Sequence, residues 1–214
     1  MSDQVSARRT QTRERLVDAA ARVFAEKGVL GASVEEICEA AGFTRGAFYS
    51  NFESKEELCL ALLQHQADAH LLAAREAVAP LTASRALGEQ SLDEAIDTAV
   101  ALFLGTQPSD RESILAGAEL RLYAAREESL RPGYLEFLDR CSSTFGDLIS
   151  DAAAAYGYRL TLPTGQLISV LHGIFENGAI NGLITGGAGD METRSELLSV
   201  VLKSFLNPDS PEQH

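Results

Sequence analysis

Apolar residues recur at helical spacing along most of this chain, and no convincing strand-like alternation interrupts them. The first such segment runs from about Thr10 to Glu26, and Gly28 is placed to end it. Near the other end, the apolar segments 164–185 and 192–206 flank a glycine-rich loop. The pattern predicts an all-α chain of about nine helices.

Two helix starts stand close together in residues 33–49. Ser33 followed by Glu36 has the spacing of a capping box, in which the two residues satisfy each other's backbone N–H groups. Gly42 can end that helix in a left-handed conformation, and Thr44 can cap the next one. Two helices joined by a glycine turn have the layout of a helix-turn-helix, whose second helix enters the DNA major groove.

Further start signals predict the remaining helices. Ser54 with Glu57 opens a long helix that continues to about Val78, and Pro80 stops it before a loop over residues 80–91. Later starts are expected at Ser91, at Ser109 with Glu112, at Pro132 in a helix that Gly157 closes, and at Thr164.

The second helix of the pair divides its chemistry between a buried and an exposed side. Phe48 and Phe52, four positions apart, are expected to face the core. Arg45 can pair bidentately with guanine, which makes it the candidate base reader. Ser33, Tyr49 and Lys55 have the groups for phosphate contacts. Capped two-helix turns are common in all-helical proteins, so the geometry alone does not decide for DNA.

Charge is unevenly distributed along the chain. The 214 residues have a formal net charge of −13, yet residues 1–55 hold eight Lys/Arg and eight Asp/Glu. The whole excess of negative charge therefore lies in residues 56–214. It would repel DNA from all parts of the protein except the predicted helix-turn-helix. Arg8, Arg9 and Arg13 are expected to form a basic arm that reaches phosphates or the minor groove, with a disordered basic terminus as the alternative.

The cysteines and the apolar runs bear on the cellular compartment. Cys38, Cys59 and Cys141 are odd in number and lack metal-binding spacing, and Cys38 and Cys141 are expected to be small core residues rather than redox switches. We expect neither a signal peptide nor a membrane span, because no uninterrupted apolar run of about 18 residues occurs. A reducing cytoplasm fits this composition.

The motifs of residues 10–57 resemble the N-terminal domain of TetR-type (tetracycline-repressor-like) transcriptional regulators. The matching pieces are Leu16-Val17-Asp18-Ala19-Ala20, Val23-Phe24, Lys27-Gly28, Ser33-Val34 with Ile37, Ala41-Gly42-Phe43-Thr44-Arg45-Gly46, Phe48-Tyr49 with Phe52, and Ser54-Lys55-Glu56-Glu57-Leu58. The resemblance implies a homodimer with a helical C-terminal ligand domain. It also implies a repressor that a small molecule releases from DNA.

The resemblance also implies the residues that contact DNA. The matching positions are Ser33, Thr44, Arg45, Gly46, Tyr49 and Lys55. Ala47 and Ser50 occupy positions that vary in the family and are expected to tune the operator sequence. Asn51 stands where the family often has histidine and is included among the candidate contacts.

The resulting hypothesis is a two-domain regulator. Residues 1–53 would form the helix-turn-helix domain with its basic arm, and residues 54–214 the ligand-binding and dimerisation domain. The expected function is a homodimeric repressor on a palindromic operator, released by an apolar or aromatic effector. The alternatives are an activator or dual regulator and, from another class, an all-helical ligand-binding protein or enzyme without DNA function.

The last two long helices are the dimerisation candidates, since two such pairs would form an isologous four-helix bundle. The candidate interface residues are Leu167, Leu171, Ile174, Gly178, Gly182, Leu198, Val201 and Phe205. An intramolecular core is the alternative reading of the same apolar positions.

Candidate ligand residues are mainly aromatic and lie in the predicted C-terminal domain. They are Phe103, Glu119, Tyr123, Tyr134, Phe137, His172, Phe175 and Glu176, although most could equally be core residues, and His172 could pair with Glu176. No nucleophile elbow, phosphate-binding glycine loop or paired-histidine zinc helix occurs. We therefore expect no catalytic residue, no metal and no cofactor.

Overall fold

Helices dominate the computed structural model, which describes residues 2–86, 91–107, 110–186 and 191–208. The described elements are α1 Ser2–Gly31, α2 Val34–Ala41, α3 Arg45–Tyr49, α4 Lys55–Ala86, α5 Leu92–Thr106, α6 Arg111–Arg126, α7 Arg131–Ala155, β1 Tyr158–Leu160, α8 Thr164–Thr185, α9 Met191–Ser204 and β2 Leu206–Pro208. The nine helices within these ranges confirm the all-α prediction.

The chain packs as two units. The first comprises Met1–Gln66 and Pro108–Phe137, and the second comprises Ala67–Gln107 and Leu138–His214. The sequence predicted a single division between residues 53 and 54, where the helix-turn-helix is complete. The first packing unit also includes the start of α4, α6 and the start of α7, because these segments bury apolar side chains against its helices.

The core of the first unit is built where α1 packs against α2 and α6. Its fully buried side chains include Leu16, Phe24, Ile37, Phe48, Phe52, Leu58, Leu120 and Leu130. The predicted apolar face of α1, which includes Leu16 and Phe24, is therefore buried as expected. This core holds α3 in place from one side and leaves its other side exposed.

The core of the second unit lies where α5 and α8 pack against α9. Its buried side chains are Ile96, Val100, Leu104, Leu167, Leu198 and Leu202. Strands β1 and β2 pair antiparallel beside it, with Arg159 opposite Asn207. The prediction of a chain without strands was wrong here, because three residues per strand are too few to produce a readable alternation.

Helix α1 starts earlier than predicted and is interrupted at Gly28. It begins at Ser2 rather than near Thr10, and it bends at Gly28 (φ 72°, ψ 159°) before continuing to Gly31. A Cβ at Gly28 would lie 2.8 Å from a carboxylate oxygen at the end of the flexible Glu119 side chain, so glycine is favoured here chiefly by the positive φ. The regular helix therefore ends at Gly28, as predicted, and a short helical segment follows it.

Helix α4 passes through Pro80 and ends at Ala86, so the predicted stop and the loop from residue 80 were wrong. Proline removes one backbone hydrogen bond and crowds the preceding turn, but a helix with good helix formers on both sides can continue past it. Residues 87–90 of the predicted loop lie outside the described residues.

Two predicted caps also differ from the structure. Asp110, not Ser109, caps α6 by accepting a hydrogen bond from the Ser113 backbone N–H at 2.8 Å, and Ser109 lies outside the described residues. Thr164 is the first residue of α8, and Pro163 precedes it without a side-chain cap. The glycine-rich loop beyond Gly186 also lies outside the described residues.

The cysteines are thiols with raised pKa values. Burial raises the pKa of Cys59 to about 12, and it is the main cause of the raised pKa values of Cys38 and Cys141. Cys38 and Cys59 are buried, whereas Cys141 is half-buried. Because only the thiolate is strongly nucleophilic, these pKa values agree with the predicted packing role.

Helix α8 is long and apolar enough to cross a membrane by length and composition alone, with a mean hydropathy of 1.2 over 18 residues. It is the one described helix that meets this test, and 17% of that segment is buried within the chain. A core or interface helix passes the same test, so composition does not separate these possibilities.

Candidate nucleic-acid interface

The turn between α2 and α3 is held by the residues that predicted it. The Ser33 hydroxyl accepts from the Glu36 backbone N–H at 3.2 Å, and the Glu36 carboxylate accepts from the Ser33 backbone N–H at 2.9 Å. Gly42 adopts a left-handed conformation (φ 71°, ψ 33°), and Phe43 then donates a backbone hydrogen bond to Cys38 at 2.8 Å. These bonds fix where α2 ends and how the chain turns.

The recognition helix α3 is anchored by its aromatic residues. Phe48 and Phe52 are fully buried, with ring centroids 5.7 Å apart. The Tyr49 ring packs edge-on against Phe48 at 5.2 Å, while the Tyr49 side chain stays half exposed. Thr44 caps the helix by accepting from the Ala47 backbone N–H at 3.2 Å.

Most of the predicted DNA contacts lie on the exposed side of this helix. Thr44, Arg45, Gly46 and Tyr49 are exposed, and Ala47 is partly exposed. An exposed arginine and tyrosine at the start of a rigidly anchored helix can reach base edges and phosphates of a major groove.

Arg45 is already paired with protein groups. Its guanidinium forms an ion pair with Glu35 of α2 at 2.5 Å and lies 5.8 Å from the centre of the Tyr49 ring. A hydrogen bond with the Tyr49 side chain and the charge of Glu35 raise the Arg45 pKa above its ordinary value. Glu35 was not among the predicted site residues, although it lies ten residues before Arg45 and two residues after the Ser33 cap.

Three other predicted contacts have structural partners. The Ser33 hydroxyl serves the capping box. Asn51 is buried and donates to the Ala47 carbonyl at 2.8 Å. Lys55 donates to the carbonyls of Val29 and Ala32, at 2.9 and 3.2 Å.

These partners affect the DNA role of each residue differently. Asn51 is 9% exposed and positions the end of α3 rather than facing solvent. Lys55 closes the carbonyl end of α1, and its ammonium group lies 5.5 Å from the centre of the Tyr123 ring. Lysines near the last carbonyls of a helix are favourable there, a role that the sequence analysis did not consider.

The basic arm is part of α1 rather than a separate extended segment. Arg8 and Arg9 are exposed on it. Arg13 instead donates to the Asn51 carbonyl, forms an ion pair with Glu57 at 3.4 Å and stacks 4.1 Å from the centre of the Phe52 ring. Arg13 therefore packs the domain, and only the two earlier arginines remain exposed.

The candidate ligand residues are divided between the two units. In the first, Tyr123 donates to Glu56 at 2.7 Å, Glu119 lies against Gly28, and the Tyr134 and Phe137 rings pack 5.8 Å apart. In the second, His172 and Glu176 pair with each other at 3.2 Å, and Phe175 packs against the core. The Phe103 side chain lies outside the described residues.

A groove in the second unit was not predicted. It has a volume of about 270 Å³ and is lined by Asp68, Leu71, Leu72, Arg75, Arg140 and Thr144. Arg140 pairs with Asp68 across it at 3.2 Å. Residues 68, 71, 72 and 75 have the helical spacing that could have identified one wall.

The candidate dimer residues have different environments. Leu167 and Leu198 are fully buried within one chain, which is the intramolecular alternative that the sequence left open. A Cβ at Gly178 would clash with the Arg194 side chain of α9, so this glycine allows contact between α8 and α9 of the same chain. Leu171, Ile174, Gly178, Gly182, Val201 and Phe205 are partly exposed.

Comparison with known proteins agrees with the helix-turn-helix described above. Residues 16–62 match the family of bacterial regulatory proteins called the tetR family. The chain is 27% identical over 207 residues to the HTH-type transcriptional regulator SrpR of Pseudomonas putida, covering 96% of this chain and 88% of that protein. It is 40% identical over 91 residues to the HTH-type transcriptional regulator TtgR, also of Pseudomonas putida, covering 40% and 43%.

Solved structures support the fold. GusR of Salmonella enterica aligns with a TM-score of 0.69 at 18% identity, over 91% of this chain and 94% of that one. Two capped helices are joined by a glycine turn, and the second, the recognition helix, is exposed. This arrangement defines a helix-turn-helix DNA-binding regulator. More particularly, residues 16–62 match the DNA-binding domain of the tetR family, and the relatives named above are transcriptional regulators rather than enzymes.

Proposed function

We propose that the protein is a homodimeric repressor that binds a palindromic operator through α3 and is released by a small-molecule effector. The exposed side of α3, with Arg45 and Tyr49 on a helix anchored by Phe48, carries the proposal. Arg45 would read guanine, while Thr44, Tyr49 and the backbone at Gly46 would contact phosphates and position the helix.

Dimerisation is supported by the surfaces of α8 and α9. In α8 an exposed stripe recurs at helical spacing through Val170, Gly173, Asn177 and Ile184. In α9 the corresponding exposed residues are Thr193, Leu197, Val200 and Ser204. The apolar members of both stripes would be buried by a second copy, whereas Leu167 and Leu198 are already buried in the core of one chain.

The dimer would place two recognition helices one DNA turn apart, roughly 34–36 Å. An effector would act by favouring a different spacing of the two helix-turn-helix domains. Helix α4 would connect each of these domains to its C-terminal domain. Changing the bound fraction from 1% to 99% requires about 5.5 kcal/mol of differential affinity. We propose that the effector is mainly apolar or aromatic and binds the helical C-terminal domain. We also propose a cytoplasmic location, because the protein must have access to DNA.

An activator or dual regulator is the alternative with the same DNA chemistry. Within the described residues no group of three or more His, Cys, Asp or Glu is placed to hold a metal ion. The sign of regulation depends on where the operator lies relative to a promoter, which is a property of the DNA.

The direct test is footprinting of the purified full-length protein on the DNA flanking its own coding region. Protection of a palindrome of about one to two helical turns supports the proposal. Transcription in vitro from the protected promoter then decides between repression and activation. Folded, dimeric protein that protects no DNA at low salt would mean either that the operator lies elsewhere or that the helix-turn-helix no longer binds DNA. Selection of binding sites from a random DNA library separates these two outcomes.

A further inference from the structure

Glu35 places a carboxylate beside the proposed base-reading arginine. It lies in the first turn of α2, and its side chain is 54% exposed, on the same open surface as Arg45 at 59%. The ion pair between them joins the two helices of the helix-turn-helix. Exposed ion pairs contribute little to stability, so the effect of this pair to consider is the orientation of Arg45.

The geometry limits what the guanidinium can bind. One side of Arg45 faces Glu35, and the Tyr49 ring lies near it. Arginine has five N–H donors in a planar fork, so one edge can stay with a carboxylate while another pairs with the O6 and N7 atoms of guanine. The side chain is thereby oriented before DNA arrives, which lowers the entropy lost on binding.

The same carboxylate disfavours contacts that carry no sequence information. A DNA phosphate and Glu35 compete for the guanidinium because both are anions with matching oxygen geometry. A phosphate that approaches Arg45 also meets the negative charge of Glu35. Guanine presents neutral acceptors to the paired arginine and does not suffer this repulsion.

We infer that Glu35 is a positioning residue that determines specificity by holding Arg45 for guanine and against phosphate. The inference rests on the proposed DNA-binding function and deepens it. In this role Glu35 keeps the affinity for non-specific DNA low and so raises the ratio of specific to non-specific DNA affinity.

Glu39 provides a matched control. It lies one turn further along α2, is exposed, and forms no ion pair with Arg45 among the described contacts. Glu35→Gln and Glu39→Gln remove the same charge from the same helix. They differ in that only the first removes the partner of Arg45.

The experiment begins with selection of binding sites from a random-sequence duplex library by the wild-type full-length protein. The dissociation constants of wild type, Glu35→Gln and Glu39→Gln are then measured for the selected site and for random duplex, at one salt concentration. We expect Glu35→Gln to lower the specificity ratio about three- to tenfold and to relax the preference for guanine. Glu39→Gln should tighten both affinities alike and keep the ratio.

Two further variants separate positioning from simple charge. In an Arg45→Ala background, Glu35→Gln should no longer change the ratio, because its effect runs through Arg45. Glu35→Asp should restore part of the preference for guanine. Thermal denaturation should give the same midpoint for Glu35→Gln and wild type.

Each outcome has a defined meaning. Equal ratios for Glu35→Gln, Glu39→Gln and wild type overturn the role of Glu35 while leaving the proposed function intact. A change in ratio that persists in the Arg45→Ala background also overturns it. A folded wild-type protein that enriches no sequence overturns the proposed function itself, and the role of Glu35 with it.

Discussion

Arg45 stands exposed at the first position of α3, where a side chain reaches furthest into a groove. We predict that Arg45→Ala weakens binding to a selected operator by about 1–3 kcal/mol per half-site and relaxes the choice of base at one position. Competition binding with operators changed at each position measures both effects. An equal loss on every sequence would contradict base reading by this residue.

Lys55 shows how one residue type can serve two roles that a sequence does not separate. Its ammonium group donates to two carbonyls at the end of α1, which leaves less of it for a phosphate. We predict that Lys55→Ala destabilises the fold by about 1–3 kcal/mol, because it removes charged hydrogen bonds. Chemical denaturation measures this change.

The salt dependence of operator binding distinguishes the two roles of Lys55. If the amine serves only the α1 carbonyls, the slope of log affinity against log salt stays unchanged in Lys55→Ala. A slope that falls by about one indicates a phosphate contact instead. Arg22→Ala serves as the control variant, because Arg22 also donates to a backbone carbonyl, that of Ala40 at 3.4 Å.

At the scale of elements, the start of α2 depends on the charge of one carboxylate. Hydrogen bonds from Lys27 and then from Ser33 lower the pKa of Glu36 to about 2, from an ordinary value of 4.5. Because the pKa is lower in the folded state, the capping box stabilises the fold above about pH 4.5. That contribution is lost as the pH falls from about 4.5 to about 2.

This behaviour can be measured directly. A carboxyl-carbon NMR titration should place the Glu36 midpoint well below the ordinary value of 4.5. Lys27→Met should move the midpoint upward, since it removes the largest cause of the lowered pKa. A wild-type midpoint near 4.5 would show that neither Lys27 nor Ser33 holds this carboxylate in solution.

Local sequence signals predicted the helices of the helix-turn-helix well and the elements of the rest of the chain less well. Ser33, Gly42 and Thr44 act within three or four residues of themselves, so their caps and turn follow from sequence. The pairing of β1 with β2 depends on partners distant along the chain. Such partners leave no local signature, which explains why the strands were not predicted.

At the scale of the whole molecule, the uncovered sides of α8 and α9 lead to a prediction about assembly. Val200 is 63% exposed in one chain, so Val200→Glu should leave the fold intact but place a charge in the proposed interface. We predict a monomer by analytical ultracentrifugation. Loss of bivalent binding should weaken affinity for a palindromic operator about 10²- to 10⁴-fold.

The control for this prediction is Leu122→Glu in α6, where the wild-type side chain is also half exposed. It should remain dimeric and keep its operator affinity. If Val200→Glu is also dimeric at the same concentration, the proposed interface is misplaced and another surface must join the subunits.

The sequence by itself determined the helical class, the helix-turn-helix and the exposed candidates Arg45 and Tyr49. Periodicity and caps suffice for these because they act over one or two turns. Only the tertiary structure decided that Lys55 and Arg13 are held by backbone carbonyls of residues distant along the chain, and that Glu35 lies against Arg45. Those contacts depend on how separate helices are packed, and packing is set by the burial of side chains from the whole chain.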